Sequence, residues 1–175
     1  MSPKKTGFDL LLLVLSSALL FAQVPRGKAE ITLNGTTMTI DYGRPSMRGR
    51  DMLAQAPKGY VWRLGADEAT TLTVTGRAFF GNMVIQNGTY TLFAERTSED
   101  AWTLLVNSQT GQWGTEHDRS KDLIGIPLKW EKQAESAEEL TIEVQPEKPN
   151  GDTGILTIRW GKDVLRQRFT LPPSK

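Results

Sequence analysis

The feature that most constrains the fold of this chain is a period-two alternation of apolar and polar residues in short runs. Successive side chains of a β-strand point to opposite faces, so the pattern is typical of strands with one buried face. Residues 140–145 alternate at every step, and several other runs do the same. The residues predicted to face inward are Met38, Ile40, Tyr42, Leu72, Val74, Tyr90, Leu92, Ala94, Trp102, Leu104, Val106, Leu140, Ile142, Val144, Leu156, Ile158 and Trp160.

The residues between these runs are the ones that tight turns require. Asn34-Gly35 separates two runs, and this dipeptide tolerates the positive φ angles of a two-residue hairpin. Asn87-Gly88 introduces another strand, and we interpret Gly161-Lys162-Asp163 as a hairpin between the last two strands. Helix is expected only as short turns near 118–123 and 134–139. About ten short strands predict an all-β fold, either a two-layer antiparallel sandwich or a jelly-roll-like barrel.

The N-terminal segment has the parts of a secretory signal peptide. Lys4 and Lys5 form a basic start, Leu10 to Phe21 is an apolar run, and small residues lead to a predicted cleavage between Ala22 and Gln23. A membrane-spanning helix needs about 20 apolar residues, and this run is shorter. The segment is therefore predicted to be cleaved and not to anchor the chain.

Residues 1–22 are thus assigned to the signal peptide and residues 23–175 to a single β-sandwich domain. The chain contains no cysteine, which excludes disulfides and the lipid-modified cysteine of a lipoprotein. We therefore expect an exported protein, periplasmic or secreted, with no stable membrane anchor after cleavage. No motif specifies a cofactor, and none is predicted.

Charge excludes one large class of partner. The leader carries Lys4, Lys5 and Asp9, so its removal turns 21 basic and 20 acidic residues into 19 and 19. Phosphate neutralisation supplies most of the affinity of nucleic-acid binders, which normally show a basic excess. A mature chain with a formal net charge of zero is not expected to bind nucleic acid.

Two stretches, residues 42–70 and 107–125, do not follow strand alternation. Sites commonly lie on such loops, and we expect the two to form one face. They also carry several short motifs in a fixed order, which are Tyr42-Gly43-Arg44-Pro45, Arg48-Gly49-Arg50, Val61-Trp62-Arg63-Leu64-Gly65-Ala66, Glu68-Ala69-Thr70, Gly88-Thr89-Tyr90-Thr91-Leu92-Phe93 and Trp113-Gly114.

In these motifs the sequence resembles domain-of-unknown-function family 2911 of exported bacterial proteins. The resemblance implies a β-rich domain and assigns no reaction. It also implies asparagine at the position of Asp67 and an aromatic residue at that of His117. Neither residue would then be a catalytic group required throughout the family.

Basic residues are the first candidates for a binding site. The irregular stretch holds the arginines Arg44, Arg48, Arg50 and Arg63. A guanidinium offers a planar fork of donors suited to carboxylate, phosphate or sulfate, which favours an anion pocket. The alternative is structural, because arginines in long loops also bind backbone carbonyls or pair with acids such as Asp51, Asp67 and Glu68.

Aromatic residues are the second candidates. Trp62, Trp113 and Tyr90 have polar neighbours and are able to stack on a sugar ring. Tryptophans at alternating positions more commonly belong to the core, because each buries a large apolar area. The core interpretation is favoured for Trp62, whereas Trp113 lies outside any strand pattern.

His117 is the only histidine of the chain, and it lies between Glu116 and Asp118. Histidine titrates near neutral pH, which suits ligand binding, but a single histidine gives no recognisable metal spacing and no metal site is predicted. A solvated loop is the alternative.

A carbohydrate-active hydrolase needs two carboxylates about 5–10 Å apart, and the candidate pairs join Asp67 or Glu68 with Glu116 or Asp118.

Together these features favour an exported binding or interaction module for a small polar or anionic ligand. The alternatives are a carbohydrate-active hydrolase that uses the loop carboxylates, and a structural envelope protein without a ligand. Whether the protein is an enzyme stays open on sequence alone, with binding preferred.

Overall fold

The computed structural model describes residues 23–173, and the predicted signal peptide, residues 1–22, lies outside the described residues. Within that range the chain forms ten strands and one short 3-10 helix, Arg119–Lys121, and no helix there is long and apolar enough to cross a membrane. The strands are β1 (Arg26–Leu33), β2 (Thr36–Gly43), β3 (Val61–Trp62), β4 (Thr71–Val74), β5 (Ala78–Phe80), β6 (Met83–Ile85), β7 (Gly88–Ser98), β8 (Ala101–Asn107), β9 (Asp122–Pro146) and β10 (Thr153–Thr170). The predicted all-β fold of about ten strands is confirmed.

All strands belong to one antiparallel sheet in the order β1-β2-β4-β7-β8-β9-β10-β5-β6, with β3 beside β7. The long strand β9 pairs with β8 near its start, where Leu128 faces Trp102, and with β10 near its end, where Ile142 faces Ile158. The Tyr42 hydroxyl of β2 accepts a hydrogen bond from the Ile142 backbone N–H at 2.9 Å. Within the described residues the sheet does not close into a barrel, so the sandwich-like architecture is the one adopted.

The core consists of the inward faces that alternation predicts. Every residue of the predicted set is buried except Tyr90, which is half-buried. Three tryptophans from different strands meet in this core: the Trp62 ring stacks on Trp160 at 5.5 Å and packs edge-on against Trp102 at 6.3 Å. Burial of such large rings contributes a few kcal/mol each, which makes this contact a main link between strands distant in sequence.

Glycine turns account for one confirmed and one wrong prediction. Asn34 and Gly35 have φ of 50° and 77° and connect β1 to β2 as the expected hairpin. Gly161 also has a positive φ, 64°, but it forms a bulge inside the continuous strand β10 and not a hairpin. A left-handed glycine serves both structures, so the local sequence does not distinguish them.

Of the two expected helical turns, residues 134–139 form strand and not helix, whereas the 3-10 helix lies within 118–123.

Gly43 and Ala66 mark a close approach of two backbone segments. A Cβ atom at Gly43 would lie 2.2 Å from the Ala66 carbonyl oxygen, so any side chain there must displace backbone. We expect Gly43→Ala to lower the free energy of unfolding by about 2 kcal/mol or more. Gly151→Ala is the control, since its nearest neighbouring atom would be 3.4 Å away. Urea denaturation measures both, and equal midpoints would contradict the close approach.

Candidate functional site

An open cleft of about 590 Å³ lies between the two irregular stretches of the chain. Trp62 of β3 and Trp160 of β10, the stacked pair of the core, reach its lining. The rest of the lining combines apolar and aromatic, hydroxyl-bearing and basic side chains, which include Met52, Tyr60, Phe93, Ser46, Thr115, Arg50, Arg63 and His117. Among residues 23–173, no aspartate or glutamate lines the cleft.

One wall of the cleft is built by backbone hydrogen bonds between the two stretches. The Gly114 N–H donates to the Asp67 carbonyl at 2.8 Å, and the Ala69 N–H donates to the Gln112 carbonyl at 3.2 Å. A Cβ atom at Gly114 would lie 3.2 Å from Cδ of Arg63, so the Arg63 stem runs along this glycine. The stretches thus position Arg63 jointly.

Another part of the cleft wall comes from the segment 44–60, which has almost no regular structure of its own. Its start is tied to β9, where the Met47 N–H donates to the Glu138 carbonyl at 2.8 Å. Its middle is tied to β7 by Arg96, whose guanidinium donates to the Leu53 carbonyl at 3.2 Å and the Ala56 carbonyl at 2.8 Å. The Arg96 side chain therefore anchors residues 53–56, which belong to no strand.

The structure separates the four candidate arginines into two groups. Arg50 and Arg63 line the cleft, and neither guanidinium has a carboxylate or hydrogen-bond partner among residues 23–173. Arg44 instead pairs with Glu139 at 2.9 Å and lies outside the lining, in a structural position. Arg48 is exposed outside the lining, and its backbone N–H donates to the Glu138 carboxylate. Two of the four candidate arginines therefore line the cleft.

The aromatic candidates also differ in position. Trp62 is 3% exposed, so it is a core residue with one edge at the cleft. Trp113 is 43% exposed, forms a bridge with Glu68 and does not line the cleft. Tyr90 lies elsewhere, and its hydroxyl donates to the Gln86 carbonyl. Trp160 was assigned by alternation to the core alone, and only the folding of the sheet brings it to the site.

A chain of side-chain hydrogen bonds holds His117 in place. Its Nε2 lies 2.9 Å and 3.1 Å from the two Asp122 carboxylate oxygens, and Asn107 Nδ2 donates to Asp122 at 2.8 Å. The imidazole packs against Phe93, with the ring centres 4.5 Å apart. Only 15% of the His117 side chain is exposed, so it is not a solvated loop residue. Sequence reasoning missed Asp122 and Asn107, because neither the burial of Asn107 nor the contact of Asp122 with His117 can be read from the chain.

The four carboxylates proposed as catalytic lie outside the cleft lining. Asp67 has φ of 62°, a conformation that Asp and Asn tolerate, and its side chain accepts from the Val24 N–H at 2.8 Å. Glu68 pairs with Arg26 at 3.4 Å beside a separate hollow of about 280 Å³. Glu116 is exposed. Asp118 caps the 3-10 helix, and hydrogen bonds from Ser120 lower the pKa of its carboxyl.

No cluster of three metal-ligating side chains occurs in the described part of the chain. The cleft therefore contains neither the paired carboxylates of a glycosidase nor a recognisable metal-binding set among residues 23–173. Its chemistry is cationic and aromatic.

Fold and cleft together define an all-β, sandwich-like protein with one basic, aromatic cleft between its two irregular stretches. The chain belongs to the family described as "Protein of unknown function (DUF2911)", whose model matches residues 24–169. The resemblance seen in the motifs is thereby confirmed. No match was found among curated proteins or among solved structures.

Arg96 provides a test of how the cleft wall is held. Arg96→Lys removes most of the donors that reach the 53–56 carbonyls, so we expect the free energy of unfolding to fall by about 1–3 kcal/mol. Hydrogen exchange should become faster in residues 51–59. Arg168→Lys is the control, because its ion pair with Glu147 lies at the surface and contributes little. Unchanged exchange in 51–59 would show that other contacts hold the wall.

Proposed function

We propose that the cleft binds a small anionic ligand whose remaining part is apolar or ring-shaped. The observation that carries this proposal is the charge of the lining, which includes Arg50, Arg63 and His117 and, in the part of the chain that the structure describes, no acidic side chain. Guanidinium groups bind carboxylate and phosphate through charge-assisted hydrogen bonds. Arg63 is half-buried yet has no carboxylate partner among residues 23–173, whereas Arg44, in a structural position, pairs with Glu139.

The surroundings of the arginines strengthen this attraction. Aromatic rings from Tyr60, Trp62, Phe93 and Trp160 form much of the cleft, so part of its wall has a low dielectric constant. Charges of one sign in such a cleft act on a counter-ion more strongly than they do in bulk water. Arg63 is also half-buried and packed along Gly114, so it loses less conformational freedom on binding.

The size and apolar lining of the cleft support a ligand larger than a simple ion. Its volume of about 590 Å³ is within the usual range for small-molecule sites. The ring edges of Trp62 and Trp160 and the side chains of Met52 and Tyr60 offer apolar contact to the rest of the ligand. An organic anion therefore contacts both the basic and the apolar side chains of the cleft.

Carbohydrate hydrolysis gains no support from the geometry. Asp67, Glu68, Glu116 and Asp118 all lie outside the cleft lining. A binding role requires no such pair, so it is the function that the arrangement supports best.

We also propose that this binding takes place outside the cytoplasm. The support is the sequence of residues 1–22, with its basic start, apolar run and small residues before Gln23. Mass spectrometry of the protein exported by its host should show a chain that begins at Gln23. An uncleaved chain that stays in the cytoplasm would overturn this part of the proposal.

Benzoate and benzamide test the binding proposal, since they share ring and shape and differ in charge. We expect calorimetry to show that benzoate binds the mature protein at least tenfold more tightly than benzamide. Arg63→Gln should lower benzoate affinity by about tenfold, which corresponds to one charge-assisted hydrogen bond.

Arg77→Gln is the matched control, because Arg77 is exposed and lies outside the cleft lining. It should leave benzoate binding unchanged, and circular dichroism verifies that both variants are folded. Equal affinity for benzoate and benzamide, or an Arg63→Gln variant that binds as the wild type does, would refute anion binding in this cleft.

A further inference from the structure

We infer that the cleft selects a doubly charged oxyanion group and takes up one proton on His117 when that group binds. The inference rests on the proposed function and adds to it the charge of the ligand. The hydrogen bonds of the His117 imidazole decide whether its free ring nitrogen offers a lone pair or a proton to a ligand.

His117 Nε2 is engaged by both oxygens of Asp122, and Asp122 does not line the cleft, whereas His117 does. Nδ1 has no partner among the described residues. With a proton on Nε2 to satisfy the carboxylate, a neutral imidazole presents a lone pair at Nδ1, which repels an anion. Only the imidazolium donates from both nitrogens. Contact between a ligand oxygen and Nδ1 therefore requires the protonated ring.

The charges around the site lead to the same result. Arg50 and Arg63 contribute two positive charges, and Asp122 behind the imidazole contributes one negative charge. A singly charged ligand balances this sum while His117 is neutral. A doubly charged ligand leaves one negative charge in excess, which is removed when His117 takes a proton from solvent. Binding of a dianion is thus linked to proton uptake, and binding of a monoanion is not.

The other charged groups near His117 among the described residues offset one another. Asp118 interacts with His117 through its charge, and Lys121 is close enough to offset that charge. Phe93 of β7 and Asn107 of β8 are uncharged. The neighbouring Asp118 binds Ser120, at 2.9 Å to its N–H and 2.7 Å to its hydroxyl. Arg119, which is near Asp122, pairs with Glu95 at 2.7 Å. Glu116 is exposed to solvent. Asp122 is therefore the carboxylate hydrogen-bonded to the imidazole among residues 23–173.

The chain allows a direct test because His117 is its only histidine. The Cε1 proton of this ring gives one resolved NMR titration curve. Inorganic sulfate is the doubly charged probe, since it does not titrate near neutral pH, and methanesulfonate is a singly charged probe of similar shape. We expect saturating sulfate to move the midpoint of the His117 titration upward by about one pH unit. Methanesulfonate should move it by less than about 0.3 unit.

The linked binding curve gives a second, independent measurement. Sulfate affinity should fall by up to about tenfold as the pH rises through the His117 midpoint, and methanesulfonate affinity should stay nearly constant. His117→Phe keeps an aromatic ring against Phe93 and removes the titrating group. This variant should bind sulfate more weakly at the lower pH and without pH dependence, while Arg77→Gln should behave as the wild type.

The outcomes separate this inference from the proposed function. If neither benzoate nor sulfate binds, the anion-binding proposal itself fails. If sulfate binds but leaves the His117 midpoint unmoved, or if His117→Phe keeps the wild-type pH dependence, the cleft binds anions and the proton linkage is refuted.

Discussion

The stacked contact between Trp62 and Trp160 joins the shortest strand, β3, to the longest hairpin of the fold, β9–β10. β3 has only two residues, and its backbone bonds to β7, together with those of Gly59 and Tyr60 to Arg96, are few, so the tryptophan packing adds to what holds it. The same rings reach the cleft lining. A single apolar contact thus stabilises the interior and supports the residues that follow Trp62, above all Arg63.

Around this contact, the irregular stretches are ordered by bonds to regular strands. Arg96 on β7 binds the carbonyls of 53–56, β9 binds the backbone near Met47, and Asp67 and Gly114 bind each other. Loops of this length must satisfy their polar backbone groups in some way. Here those groups are bonded into the fold while Arg50 and Arg63 have no carboxylate partner among the described residues. This contrast between backbone groups bonded into the fold and the half-buried, unpaired Arg63 is the main physical support for the binding proposal.

Anion binding and proton linkage depend on different residues, and the family resemblance implies only some of these residues for related proteins. Arg50 and Arg63 lie in the motifs by which the chain resembles its family, so anion binding is an expectation for related proteins as well. The resemblance implies an aromatic residue at the position of His117, which the packing against Phe93 would accept. We therefore expect proton-linked selection of a dianion only in chains that carry this histidine, and we expect relatives with an aromatic ring there to bind without it.

By itself the sequence determined the strand faces, the Asn34-Gly35 hairpin and the family, because alternation, turn residues and short motifs are local properties. It also named Arg50, Arg63 and His117 as candidates from side-chain chemistry alone. Only the tertiary structure decided that Arg44 is paired, that Gly161 is a bulge, and that the loop carboxylates lie apart from the cleft. The sequence also did not indicate that Trp160 reaches the cleft or that Asp122 is hydrogen-bonded to His117. These depend on how a continuous sheet folds over and which distant segments it brings together, and no local pattern encodes that.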